Sequence, residues 1–355
     1  MPSTNLVTYS NLALYSAMAV FTIAMLFFAF YLAALGPVRV ERSSRRPARQ
    51  PELVGAAATS DPTTATSSPA VEVKPSARAL AYTSTEEAGG GAGEKGREKD
   101  PAPTPRARRL AGAALSVSWL GTVLIVASVV MRGLAVLRPP WGNMFEFACA
   151  GAAALALAYC VLARRNHWEW LGIFVIGPVL LTLGLALFAF YTEAAELVPA
   201  LKSIWLVIHV AVAVLAVGIF TIAFSVGVVY LVKKHREEHR PSRTNFMETL
   251  PAASRLERTA YGLNMVGFIL WTFTLIAGAI WAQKAWSAYW TWDPKEVWTF
   301  VIWVVFAAYM HARATAGWEP KKAMVIALVG YVCVILNFTL VNLVFTGMHS
   351  YSGLK

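Results

Sequence analysis

Apolar residues in this chain gather into eight runs of about twenty, and polar and charged residues collect between them. The runs cover roughly 11–35, 111–134, 147–163, 171–191, 204–232, 262–282, 294–312 and 323–346. Twenty residues of helix rise about 30 Å, the thickness of a bilayer's hydrocarbon core. The pattern predicts an all-α integral membrane protein, a polytopic bundle of about eight transmembrane helices. The first run has no basic residues ahead of it, is too long for a leader's apolar core, and carries its Arg-rich flank on the C-terminal side. It therefore reads as an N-terminal transmembrane anchor over 1–35 rather than a secretory leader.

Composition agrees with that reading. The chain is 57% hydrophobic and only 14% charged, where soluble domains average about 25% charged. A net charge of +11 would suit nucleic acid if it were gathered on one face. Here the cations sit in loops between apolar runs, so no nucleic-acid partner is expected. With the N-terminus outside, 25 of the 31 Lys and Arg residues fall in inside segments and 6 in outside ones. The positive-inside rule then puts both termini, and the segment 281–298, on the external side.

Residues 36–109 differ in kind. They are rich in Pro, Ala, Gly, Ser and Thr and show no apolar periodicity, so they cannot bury enough surface to offset ordering entropy. They are expected to form a disordered cytoplasmic insertion ahead of a transmembrane domain over 110–355. The three cysteines, Cys149, Cys160 and Cys333, all lie inside apolar runs with no CxxC or CxxCH spacing. Thiol chemistry and covalent haem attachment to this chain are not expected.

Candidate chemistry concentrates in WAQKAWSAYWTWDPKEVW, residues 281–298. Trp281, Trp286, Trp290, Trp292 and Trp298 fall within it and Trp303 lies just beyond. One or two tryptophans at a membrane edge are ordinary; this density offers a broad, flat, polarisable surface suited to a large planar ligand such as a porphyrin. The histidines bear on that idea. His167, His235 and His239 lie in charged loops and read as solvated. His209 sits about five residues into the fifth run, and His349 just past the outer end of the last. Both lie at a similar outer level, on different helices, near the tryptophan segment. Two imidazoles from opposite sides can fill both axial positions of a haem iron. His311 is 18 residues past Asp293, roughly 27 Å along a helix, and marks the opposite leaflet. Ionisable residues inside membrane segments are costly and default to functional candidates. Asp293, Pro294 and Glu296 also read as a helix start: an N-cap, a first-turn proline and a capping-box partner. Lys295 is expected to project from that first turn toward the outer surface, where it, Arg132 or Arg138 pairs with a haem propionate. No nucleophile or general base is expected.

At these residues the chain resembles a known family. Trp286, Tyr289, Trp290, Trp292, Asp293, Pro294, Lys295 and Glu296 are similar to the tryptophan-rich "WWD" motif of the haem-handling membrane proteins of cytochrome c biogenesis. That group includes the CcsA/ResC proteins of system II and the CcmC and CcmF proteins of system I. His209 and His349 match the external histidines that flank the motif, and His311 its intramembrane histidine. Trp141-Gly-Asn-Met-Phe-Glu146 resembles a segment of the CcsA/ResC branch. Size favours that branch as well, since CcmC is shorter and CcmF much longer. The resemblance covers roughly residues 110–355. Ser287 departs from the family's usual glycine, and nothing in the family pattern explains the 36–109 insertion.

The resemblance implies a haem-handling subunit of a cytochrome c synthase in the bacterial plasma membrane, with the WWD loop external. It would present haem b, as bound substrate, for thioether attachment to apocytochrome c CxxCH segments. His209 and His349 would ligate the iron, Trp286, Trp290 and Trp292 would hold the macrocycle, and Asp293, Lys295 and His311 would assist. Implied partners are a CcsB/ResB-type membrane protein, apocytochrome c and an external thiol-reductant pathway. The residues leave two alternatives open: a haem exporter or chaperone serving a separate ligase, and a transporter of some other molecule with an aromatic gate.

Overall fold

A computed structural model describes residues 4–44, 104–194, 202–239 and 250–349. Side chains are described in the first segment as far as Leu35. Among these residues there are helices and no strands. The helices are α1 (Thr4–Ser44), α2 (Pro105–Ala135), α3 (Met144–Asn166), α4 (Gly172–Ala189), α5 (Ile204–His239), α6 (Ala253–Trp286), α7 (Pro294–Ala314), α8 (Pro320–Phe338) and α9 (Leu340–Val344), with one 3-10 turn at Glu169–Leu171. Eight spans, the last running through α8 and α9, are long and apolar enough to cross a membrane. The chain is a multi-pass membrane protein. Of the expected insertion, α1 runs on to Ser44 and α2 starts at Pro105, while 45–103 lie outside the described residues.

Consecutive spans run antiparallel, and small residues let them close. Apolar side chains gain little by leaving lipid for protein, so contact depends on van der Waals fit and polar links. A Cβ on Gly121 of α2 would meet Phe21 of α1 at 2.8 Å, and one on Gly172 of α4 would collide with Phe28. On α6, Gly267 admits Phe220 of α5, and Gly278 admits His209. Those two contacts lie eleven residues apart on both helices, so the α5–α6 pair holds one register over that length. The opposite faces carry large exposed apolar side chains, among them Phe188, Ile269 and Val329, which suit lipid.

Polar links between helices satisfy groups that lipid could not. Pro178 sits inside α4 and has no N–H, so the Phe174 carbonyl loses its partner four residues on. Ser225 of α5 supplies the missing donor, Oγ to Phe174 O, at 2.9 Å. Trp271 of α6 donates to the Thr299 carbonyl of α7 (3.2 Å), and Trp303 of α7 donates to Thr272 Oγ1 of α6 (3.0 Å). Trp303, grouped in the sequence with the aromatic segment, is thus a strut between helices.

The alternation brings the start of α1, the α2–α3 turn, the end of α4, the start of α5, the α6–α7 loop and the end of α9 to one end of the bundle. Contacts there include Asn11 with Tyr191 and Arg132 with Glu146. The opposite end carries an Arg313–Glu257 ion pair at 2.6 Å.

Candidate functional site

The α6–α7 loop is built by two caps. Helix α6 ends at Ser287, whose φ of +58° lies in the left-handed region. Glycine takes that conformation freely, whereas an L side chain costs about 1–2 kcal/mol. The departure from the family's glycine therefore falls where the backbone favours glycine. Helix α7 starts at Asp293 with Pro294 in its first turn and a complete capping box closed by Glu296. Glu296 Oε2 also accepts from the Thr291 N–H at 2.8 Å and the Asp293 N–H at 3.1 Å. The short loop is tied down from within.

Asp293 is 6% exposed and holds both a helix start and the C-terminal tail. Its Oδ1 accepts from the Lys295 N–H at 3.0 Å and from His349 Nδ1 at 2.9 Å; its Oδ2 accepts from the Met348 N–H at 2.6 Å. A Cβ on Gly347 would collide with that Oδ2, so glycine is needed for the tail to approach. Burial opposes ionisation of Asp293, but the hydrogen bond and charge of His349, with the two backbone N–H groups, hold its carboxyl below the usual range. His209 is fixed in a parallel way, Nδ1 donating to the Thr274 carbonyl of α6 at 2.9 Å. An acceptor on Nδ1 fixes the tautomer that leaves Nε2 with its lone pair, the form that binds metals. Neither Nε2 has a hydrogen-bond partner among the described residues.

Both histidines line one cavity of about 460 Å³, within the range of ligand sites. Tyr289, Trp290 and Trp141 stand at its outer part, and Leu155, Val217, Thr221 and Tyr331 reach its depth. Twelve residues separate His209 from Thr221 on α5, a rise of about 18 Å, so the space reaches well into the membrane span. Three buried polar atoms on its wall have no partner among the described residues: Thr274 Oγ1, Trp281 Nε1 and Asn337 Oδ1. Unpaired buried polar atoms cost about 1–3 kcal/mol each, and a bound ligand offers them partners.

The aromatic residues divide by role. Trp286 packs edge-on to His349, with ring centroids 4.9 Å apart. Trp290 lines the cavity. Trp292, at φ +60° and 77% exposed, turns outward and leans on Trp290. Trp281, not among the expected site residues, is 2% exposed and contacts both histidine rings. In the sequence it reads as one of the dense run of tryptophans over 281–298; only the α5–α6 register sets it beside His209.

The cations are placed differently from expectation. Lys295 turns inward and lines the cavity, its Nζ donating to the Asn337 carbonyl at 2.7 Å. That carbonyl lies just before the break at Thr339 that separates α8 from α9, and the ammonium suits a helix C-terminus. Arg132 and Arg138 both pair with Glu146, at 3.2 and 2.7 Å. Glu146 Oε2 accepts in addition from the Gly142 N–H at 2.8 Å, which holds the Trp141–Asn143 turn on the cavity wall. His311 is exposed near the opposite end of α7 and does not line the cavity. His167, His235 and His239 are exposed at that same end.

Fold and site together define a polytopic helical membrane protein with a histidine- and tryptophan-walled cavity at one end. Residues 141–349 match the family described as cytochrome c assembly protein. Similar proteins named "Cytochrome c biogenesis protein CcsA" come from Guillardia theta (36% identical; 61% of this chain, 77% of the relative), Chlamydomonas reinhardtii (34%; 65% and 66%) and Prochlorococcus marinus strain MIT 9313 (33%; 65% and 81%). The chain belongs to the cytochrome c assembly protein family, as a member of CcsA type. Its role lies in cytochrome c biogenesis, which implies haem handling and an apocytochrome c acceptor.

Proposed function

We propose that this protein holds haem b, its substrate, at the cavity's outer end and presents it for thioether attachment to CxxCH segments of apocytochrome c. The observation that carries the reading is the matched state of His209 and His349. Each has Nδ1 committed to a fixed acceptor, and each faces the cavity with Nε2 uncommitted. His209 and His349 serve as axial ligands. Trp286 and Trp290 flank the macrocycle, and Trp292 extends the aromatic surface toward solvent. Asp293 orients His349, and the spare N–H groups of Lys295 receive a propionate.

Haem supplies two vinyl groups. Each thiol of the acceptor adds across one of them, sulfur to one carbon and hydrogen to the other, with no net change of oxidation state. The protein contributes orientation and axial ligation, and the rest of the chemistry is the cofactor's. The distribution of Lys and Arg supports an external site; the membrane on this reading is a bacterial plasma membrane. A CcsB/ResB-type partner completes the synthase, and a thiol-reductant pathway keeps the acceptor's cysteines reduced. His311 marks a position for haem at the inner leaflet.

The test is maturation of a co-expressed CxxCH reporter with the partner present. His209→Ala and His349→Ala each abolish it on this reading. Normal maturation by both single variants would remove the ligand assignment.

A further inference from the structure

We infer that His235 and His239, at the bundle end away from His209 and His349, form a two-imidazole site for one divalent transition metal ion of the Cu²⁺, Ni²⁺ and Zn²⁺ class. The pair shares no residue with the cavity, so this site and the haem reading stand or fall separately.

In the sequence the two read as solvated residues of the charged loop KKHREEHRPSR. Helix α5 instead continues past its apolar run as far as His239. Residues four apart on a helix stand one above the other on the same face, so the added turn makes neighbours of two histidines. Their ring centroids are 4.3 Å apart, with the planes inclined by 31°. A metal bound to an imidazole lies about 2.1 Å from the nitrogen, and so roughly 3.2 Å from the ring centroid. Two imidazoles on one ion at about 90–110° then have centroids about 4.5–5.2 Å apart. The observed pair is just short of that range, and both side chains are exposed and free to make the small adjustment.

The ring nitrogens are set for a metal as well. His239 Nδ1 lies 2.9 Å from the His235 carbonyl. A carbonyl only accepts, so Nδ1 carries the proton and Nε2 keeps its lone pair, the arrangement of metal-binding histidines held by an outer partner. The His235 ring has no hydrogen-bond partner among the described residues. Glu238 contributes charge rather than a third bond, because its Oε2 accepts from Lys321 of α8 at 2.7 Å. That bridge also ties this end of α5 to the neighbouring helix. Lys234, Arg236 and Lys321 roughly offset Glu237, Glu238 and the negative end of the helix dipole, so the two coordinate bonds and not the surrounding field carry the affinity. Both imidazoles approach from one side. A haem iron offers only two axial positions on opposite faces, so the pair suits a small ion with water in its remaining positions. Imidazole suits copper, nickel and zinc, and among them Cu²⁺ binds most tightly.

The probe is Cu²⁺, whose electron paramagnetic resonance spectrum counts the nitrogens bound to it. Full-length chain carrying His209→Ala/His349→Ala, which removes the cavity imidazoles, is purified in detergent without a polyhistidine tag and titrated in a non-coordinating buffer. The expected result is one saturable equivalent per chain with hyperfine coupling to two nitrogens. His235→Gln and His239→Gln each lose one nitrogen from the coupling pattern, and the two together lose the bound equivalent. Glutamine is a good helix former, so α5 keeps its length in these variants. His167→Gln, exposed at the same end, leaves the spectrum unchanged. An equivalent that survives the paired His235→Gln/His239→Gln replacement, coupling to a single nitrogen in the parent, or no saturable equivalent at all would overturn the inference. If the parent fails to accumulate, the same replacements in the wild-type background, read as difference spectra, decide it.

Discussion

At the scale of single residues, the site is organised by what each side chain keeps its neighbour from doing. Asp293 caps α7 and tethers His349 with the same carboxylate, which couples a helix start to a candidate ligand. Replacing it with Asn keeps an acceptor but removes the charge. Outer partners of ligating histidines typically contribute 10–100-fold in affinity, so Asp293→Asn is expected to weaken haem binding by roughly that factor in a haem titration. The sign of its pH dependence follows from its depressed folded-state value. Stabilisation by Asp293 is fully present above the ordinary carboxylate value, about 3.9, and is lost as pH falls through the folded value. The gap in melting temperature between wild type and Asp293→Asn should hold from neutral pH to about 5 and shrink below about 4. Ser287 makes the opposite case, a residue at odds with its backbone. Ser287→Gly is expected to raise stability by about 1 kcal/mol, read as an upward shift in thermal unfolding in detergent.

At the scale of elements, breaks in regular structure are answered from neighbouring helices. Ser225 replaces the donor that Pro178 cannot supply. Ser225→Ala should cost about 1–2 kcal/mol and loosen α4 against α5, visible as faster amide exchange near Phe174. Glu146 ties the end of α2 to the start of α3. Its loss removes the carboxylate partner of two arginines, one of them buried, so Glu146→Ala is expected to cost about 3–5 kcal/mol in a thermal unfolding assay. This is also where sequence and structure part. The start of α7 was legible because Asp293, Pro294 and Glu296 obey local capping chemistry. The break at Thr339 was not, because it falls within an apolar run and is met from α7 by Lys295. Glu146 was visible as part of a motif, but its pairing with Arg132 and Arg138 depends on the α2–α3 turn. Trp281 was visible as a residue and not as a site residue, because its place beside His209 depends on the register of α5 against α6.

At the scale of the whole molecule, eight spans followed from run length and composition, since lipid requires helices and sets their length. The alternation of those spans brings His209, His349 and the aromatic loop to one end and leaves His311 near the other. The cavity that His209 and His349 line does not extend to His311. Both proposed ligands lie at that end, so removing residues 50–100, which lie outside the described helices, should leave haem loading unchanged. Everything proposed for the site depends on the pair of axial histidines, which the visible spectrum of the detergent-purified protein checks, reduced and oxidised, beside the His209→Ala/His349→Ala double variant. The wild type is expected to show sharp low-spin reduced bands that the double variant lacks. A wild type that stays colourless when expressed with its partner and ample haem, or a double variant with unchanged bands, would contradict it.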